Sequence, residues 1–502
     1  MQPLAGVHIG SCIDHAAYDV SLYHEMWHGP YDTSAIVDGA FALVFVSGLQ
    51  KDFDRMRQLS YHFRRAGARV VAGGNICTMF PEFAAQFFDA VCVGGVEAVF
   101  DVMRDVEAGA LQPIYRARPR AKGAFPVAYH LLAEARIDVP FHLVEASRGC
   151  SFSCSFCVMP AENNRFVPYG IGSVRDAIDR AIDESPAASL RRRWPMIWFM
   201  DNNFSDDKAY LQQLCADLLA NPRVKAWGAL ITQNVLRDRE LIATMARSKC
   251  KALFVGIESF DREFLKTFRK KQNLSRTQSV VDDLIFAERQ GIVMVYPQLI
   301  DPRTASLDNV RADLRAIARD GRLPLPAFIS YISPLAGTEF FWECIDRDEL
   351  RPCLRLRELD GAAIAFRQTR EPVETMVELA HLVFTDAGRL VPRHLIVTNT
   401  IRRMIRARRL SPWLWLLTFG ASLRMMQKAA RNDRSTRRTY LGGEDRLDPQ
   451  YHDYPADIAA ADFARYFEPV VVTDAGGGLA AWLEPYRPRA AAERAEPALA
   501  GR

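Results

Sequence analysis

Residues 147–160 read Ser-Arg-Gly-Cys-Ser-Phe-Ser-Cys-Ser-Phe-Cys-Val-Met-Pro and set Cys150, Cys154 and Cys157 in a C-x3-C-x2-C spacing. Three thiols on one short loop suggest a metal site. The run Phe141 to Ala146 before them is apolar enough for a buried strand, and Gly149 lets the backbone turn sharply, so the loop leaves the end of a strand. Iron-sulfur clusters are normally held by four cysteine thiolates. A loop with three would hold three irons of a cubane and leave the fourth open to another ligand. Zinc is the alternative for clustered cysteines, but it wants a fourth Cys or His at a short distance, and none follows Cys157 for about fifty residues.

The same spacing, with an aromatic residue (Phe156) just before the last cysteine, resembles the signature of the radical S-adenosylmethionine (radical SAM) enzymes. In that family SAM chelates the open iron, and an electron from the cluster splits it into methionine and a 5'-deoxyadenosyl radical. The resemblance implies that Cys150, Cys154 and Cys157 hold a 4Fe-4S cluster and that the backbone around Phe156 lies near the adenine. It also implies a reducing partner such as flavodoxin or ferredoxin.

The chain's 502 residues, 49% hydrophobic and 25% charged, are ordinary for a globular protein of about three domains. With 64 basic and 60 acidic residues the net charge is only +4, which gives no support for a nucleic-acid partner. The N-terminus has no basic stretch leading into an apolar one, and no run of 18 apolar residues occurs, so a cytoplasmic protein is expected. Ten scattered cysteines then read as core thiols plus one clustered site, not a disulfide framework.

Residues 1–115 alternate apolar runs with amphipathic stretches, the pattern of an α/β unit with a parallel, Rossmann-like sheet. Strands are expected at Ala42 to Leu49, Arg69 to Ala72 and Ala90 to Val93, and helices at Asp52 to Arg65, Pro81 to Phe88 and Glu97 to Val106. Gly73-Gly74 and Gly94-Gly95 end two of the strands, where open α/β sheets bind ligands, although plain tight turns would use glycine too. Val-Ala-Gly-Gly-Asn at 71–75, Pro81-Glu82 and Val-Gly-Gly-Val-Glu at 93–97, upstream of the cysteine loop, resemble the cobalamin-binding domain of the cobalamin-dependent radical SAM subfamily. That resemblance implies cobalamin as a cofactor, with these glycines lining the corrin. The D-x-H-x-x-G motif of other cobalamin proteins is absent, and the domain looks reduced before Ala42. His24 and His28, four apart, read as surface or packing histidines because no third ligand is near in sequence.

After a linker at 116–139, residues 140–345 read as strand-helix pairs, consistent with the partial β/α barrel of the family. Strands are expected at Phe141 to Ala146, Met196 to Met200, Val224 to Ile231, Ala252 to Ile257, Ile292 to Leu299 and Phe328 to Ile332. Sites on such folds gather at the carboxyl ends of the strands. Asp201-Asn202-Asn203-Phe204 resembles a D-D-N-F-type segment, implying that Asp201 and Asn203 meet the methionine amino group. Gln233 and Asn234 stand where relatives place polar contacts to SAM, and Gly256-Ile257-Glu258-Ser259 matches the subfamily's G-I-E-S, implying SAM contacts from Glu258 and Ser259. Each of these could instead cap a helix. Tyr331 to Thr338 resembles the T-P-x-P-G-T segment with Ala336 in place of proline. Tyr296 to Asp301 departs from the subfamily's pattern in a loop that faces substrate in relatives.

Residues 346–485 are expected to be mostly helical, and 486–502 form a disordered tail. The basic run 401–409 leads into Leu-Ser-Pro-Trp-Leu-Trp-Leu-Leu, so 401–423 is either a core helix with its arginines in water or an interfacial helix lying on the inner membrane face. The resemblance implies cobalamin-dependent C-methylation of an unactivated carbon in a small-molecule or lipid-like substrate. Radical oxidation, cyclisation or C-C coupling is the alternative within the family. A non-catalytic iron-sulfur or zinc protein is the alternative outside it.

Overall fold

A computed structural model describes residues 4–117, 127–132, 141–162, 165–185, 189–274, 279–361, 363–372, 374–376, 391–406 and 453–488. The first sheet is four-stranded and parallel, and its strands lie side by side in chain order: β1 (Leu43–Gly48), β2 (Arg69–Gly74), β3 (Ala90–Val93) and β4 (Ile114–Arg116). Such a sheet is covered on both faces, so its strands are apolar throughout rather than alternating. Val70, Val71 and Ala72 of β2 and all of β3 are buried accordingly. Before Leu43 the described residues hold no strand, only short helices that include Leu4–Gly10. β4 falls at the end of the unit, where no strand was expected. The helix expected over Pro81 to Phe88 is instead a pair, Asn75–Met79 and Pro81–Ala84. Pro81 has no amide hydrogen to continue the first helix and opens the second at its first position.

The second unit is an arc of parallel strands. β5 (His142–Val144) enters the cysteine loop, whose base is a two-residue antiparallel pair, β6 (Ser147–Arg148) and β7 (Val167–Pro168). β8 (Met196–Phe199), β9 (Ala226–Thr232), β10 (Cys250–Gly256) and β11 (Val293–Val295) then extend the sheet in the order β5-β8-β9-β10-β11. The fifth strand of the expected six is interrupted. After Tyr296 it resumes as β12 (Pro297–Ile300), which pairs with β13 (Phe328–Tyr331), while Gln298 still bridges to Glu258 beyond β10. Pro297 is the reason, since it cannot donate to a ladder. Gly228 of β9 lets Trp198 lie across the sheet, because a Cβ there would sit 2.5 Å from the indole ring.

The region after Asp346 is helical in part. Helices Arg393–Arg406 and Ala460–Tyr466 are described, 350–376 is largely irregular, and 377–390 and 407–452 lie outside the described residues, as do most of the expected linker and tail. One core joins the two ends of the chain: Phe53, Phe83 and Phe87 of the first unit pack with Phe340, Phe341, Leu356, Tyr466, Phe467, Val472 and Leu483. Phe83 stacks on Trp482 at 3.9 Å. Within this core Asp54 and Arg57 form an ion pair at 2.9 Å, with both side chains 3% exposed. Arg57 also donates to the carbonyl of Glu468, and the amide of Val470 donates to Asp54. Replacing Asp54 by alanine strands Arg57 without its partner, so a loss of about 3–5 kcal/mol is expected in urea unfolding followed by tryptophan fluorescence.

Candidate functional site

The cysteine loop leaves β5 as expected and turns at Gly149, which adopts φ +79. Cys154 is buried and its two companions are partly so. Burial pushes the Cys157 thiol up to about 12 and raises Cys150; Cys154 adds to the rise at both, and Cys150 to that at Cys157. Among the described residues no three His, Cys, Asp or Glu side chains converge as ligands of a single ion would. A cubane asks for something else, one thiolate per iron corner, and this donor set fits it.

Asp201, Asn202, Asn203 and Asp206, just beyond β8, hold the loop by its backbone. Asp201 accepts from the amide of Ala146 and from the hydroxyl of Ser147. Asn202 accepts from the amide of Gly149 at 3.0 Å, and Asp206 from that of Ser151 at 2.8 Å. The Asn203 amide group hydrogen-bonds the Cys150 sulfur and also donates to Asp206. Both Asp201 and Asn203 are 1% exposed. Both are engaged with the cysteine loop through these hydrogen bonds.

The far side of the loop is held by the segment after β10. Gln272 donates to the Cys154 sulfur at 3.4 Å, the amide of Ser155 donates to the carbonyl of Phe268, and the amide of Phe340 donates to the carbonyl of Ser155. Lys270 is 5% exposed, pairs with Glu258, and places its ammonium 5.9 Å over the Phe156 ring. Glu258 and Arg269 both take left-handed backbone, φ 62 and 53, a strain that non-glycine residues adopt where surrounding structure enforces it. Gly256 leaves room beside them: a Cβ there would lie 3.0 Å from Glu258 Oε1 and 3.2 Å from Lys270 Nζ. Of the other expected contacts, Gln233 is buried, Asn234 keeps a buried Oδ1 with no hydrogen-bond partner, and the Ser259 hydroxyl accepts from the amide of Asp261, as a turn residue does. Lys270 and Gln272 were not singled out from sequence. Their only signal is the polar run Arg269-Lys270-Lys271-Gln272-Asn273 one short helix past a strand end.

Gly73, Gly74, Gly94 and Gly95 meet around one cavity of about 330 Å³, together with Glu145, Arg148 and Asn202 of the cluster side. Gly74 (φ +111) passes so close to β1 that a Cβ would sit 2.3 Å from the carbonyl of Gly48. At Gly73 and Gly94 a Cβ would enter open space, so bare backbone faces the cavity, a cradle suited to a broad flat group such as a corrin. Helix Leu4–Gly10 forms another wall. Its His8 is buried, which holds the imidazole down to about 4, and accepts a hydrogen bond from Arg148 at 3.1 Å. Arg148 in turn binds Glu145 at 2.8 Å. His24 caps the short helix Glu25–His28 and is half-buried, while His28 is exposed and accepts from the His24 amide at 3.0 Å.

Two outcomes test this geometry. Burial raises the Asp201 carboxyl to about 7, above its unfolded value near 4, so its share of stability is present at low pH and is lost as pH rises toward 7. Asp201→Asn should therefore gain stability relative to wild type between pH 4 and 8 in paired urea titrations. Lys270→Met leaves the Glu258 carboxylate buried alone and should cost about 3–5 kcal/mol, most of it recovered by adding Glu258→Gln, as a double-mutant cycle would read.

Residues 144–288 match the family model described as the Radical SAM superfamily. The chain is 23% identical over 342 residues, 65% of this chain and 72% of the relative, to bacteriochlorophyllide d C-8(2)-methyltransferase of Chlorobaculum tepidum. It is 27% identical to that organism's bacteriochlorophyllide d C-12(1)-methyltransferase, covering 56% of this chain and 61% of the relative. It is 25% identical to hopanoid C-3 methylase of Methylococcus capsulatus, covering 45% and 41%. Among solved structures it resembles the radical SAM methyltransferase TsrM of Kitasatospora setae, with a TM-score of 0.51, 15% identity and coverage of 71% of this chain and 75% of that one. It also resembles the cobalamin-dependent radical SAM enzyme OxsB with aqua-cobalamin bound, with a TM-score of 0.51, 12% identity and coverage of 72% and 64%. Residues 144–288, with the strand arc and the cysteine loop, are thus similar to the radical SAM superfamily, and the fold of the chain resembles that of TsrM and of the cobalamin-dependent enzyme OxsB.

Proposed function

We propose that the protein is a cobalamin-dependent radical SAM methyltransferase that adds a methyl group to an unactivated carbon of an apolar, polycyclic or lipid-like substrate. The observation that carries this reading is the shared cavity: the glycine-lined ends of β2 and β3 open onto the same space as Arg148 and Asn202 beside the cluster loop. Its similarity to methyltransferases named for bacteriochlorophyllides and hopanoids supports the substrate class. When bound, the cluster with SAM supplies radical chemistry and the corrin supplies a transferable methyl group.

The chain's own residues bind and orient. Cys150, Cys154 and Cys157 would hold the cluster, and the carboxylate and amide acceptors after β8 fix their loop before any metal arrives. Glu258 and Lys270 present a neutralised pair beside Phe156, where SAM's ammonium and carboxylate would find opposite charges. Gly73 and Gly94 let a flat ring approach the sheet closely. A small reducing protein such as flavodoxin or ferredoxin would deliver the electron.

Anaerobic purification from cells supplied with cobalamin should yield about four irons and about one cobalt per chain, and a methylated product one methylene unit heavier than its substrate. Iron without cobalt, and a product with no added carbon, would overturn methyl transfer in favour of radical oxidation or cyclisation. Cys154→Ala should retain cobalt but lose the cluster's absorption and all SAM cleavage.

A further inference from the structure

Helix Arg393–Arg406 carries apolar residues on two sides. Leu395, Ile396 and Met404 pack against the core, and between them the inward side is polar. Asn399 is 2% exposed and donates to the carbonyls of Ile317 and Leu323. Arg403 and Arg406 both reach Glu288, itself 1% exposed, at 2.6 and 3.2 Å. The two arginines that a sequence reading would give to water or lipid are therefore committed inside. The side turned outward carries Val397, Ile401 and Ile405, which are 55%, 50% and 60% exposed and stand one turn apart in a single row. A helix normally turns such a row to the core, and an exposed one marks a surface that something covers.

What surrounds the row says what that is. Beside Ile405 lies an open depression of about 550 Å³ lined by Arg289, Arg402, Arg406, Gly321 and Asp320. The one carboxylate among them, Asp320, is already held by Arg322 at 2.8 Å and Arg406 by Glu288, so Arg289 and Arg402 give the depression its positive charge. A second copy docked face to face would bring these arginines against one another. Residues 407–452 carry nine Lys or Arg against four Asp or Glu, which makes them an equally poor partner in charge. Aliphatic side chains ringed by arginines fit a lipid surface, where the row enters the acyl boundary and the arginines meet phosphate headgroups.

We propose that the outward face of helix Arg393–Arg406, with the basic depression beside it, docks the protein on an anionic membrane surface. A peripheral station of this kind would bring a catalyst to substrates that partition into lipid, but the docking stands on its own geometry and is tested without turnover. The full-length protein is mixed with vesicles of phosphatidylcholine containing phosphatidylglycerol, and with phosphatidylcholine alone, and floated on a density gradient. The wild type should float with the anionic vesicles, less so as salt is raised. Val397→Ser, Ile401→Ser and Ile405→Ser combined should weaken binding by about tenfold or more, with the melting temperature kept because all three are exposed. Arg289→Gln with Arg402→Gln should weaken it by removing the response to anionic lipid. Three results would overturn the proposal: no flotation with either vesicle, equal flotation of the triple serine variant, or a wild-type dimer in light scattering that the triple serine variant abolishes.

Discussion

A loop that must show three sulfurs to an open space cannot bury its own backbone, so its amides need acceptors supplied from elsewhere. Here they come from one short stretch after β8, where Asp201, Asn202 and Asp206 take the amides of Ala146, Gly149 and Ser151 in turn. Everything else at the site is arranged around that attachment. The Lys270 segment closes the opposite side through Gln272 and Ser155, and Phe340 anchors the loop to the helix that follows the last strand. Where the contact is buried, as for Asp201 with Ala146 and Gln272 with Cys154, its loss leaves an unsatisfied group, which stiffens that part of the loop.

The placement of carboxylates explains why a polar segment at a strand end can be read in two ways. Asp201 looks like a ligand for an ammonium when only its neighbours in sequence are visible. In three dimensions it is enclosed and already engaged by Ser147 and Ala146, with burial favouring its protonated form. Glu258 differs: its left-handed backbone and its lysine partner hold a charged pair at the rim of the loop, in contact with the aromatic residue between the cysteines. Strain and buried charge coincide at that residue, as they do where function overrides packing.

The strands of both sheets other than β4, the cysteine loop and the glycine pairs were legible because each has a local signature: an apolar run, a spacing, or a glycine-bearing strand end. What escaped reading was set by distant partners. The break at Tyr296 follows from the lost donor of Pro297 and could have been read. Lys270 gains its meaning from Glu258, twelve residues earlier. His8 gains its meaning from Arg148, on the far side of the cavity. The helix Arg393–Arg406 was recognisable as basic and apolar, but which face turns inward depended on Glu288, more than a hundred residues away, and no periodicity could report it.

The core that unites Phe53, Phe83 and Phe87 with Phe467, Val472 and Leu483 has a consequence for how the protein is made. Asp54 and the amide of Val470 are 416 residues apart in the chain. At translation rates of about 5–20 residues per second, roughly 20–80 s separate the synthesis of these partners. Until Tyr466, Phe467, Val472 and Leu483 are made, the aromatic side of Phe53–Arg65 lacks part of its cover, which makes that face a natural client for a holdase chaperone.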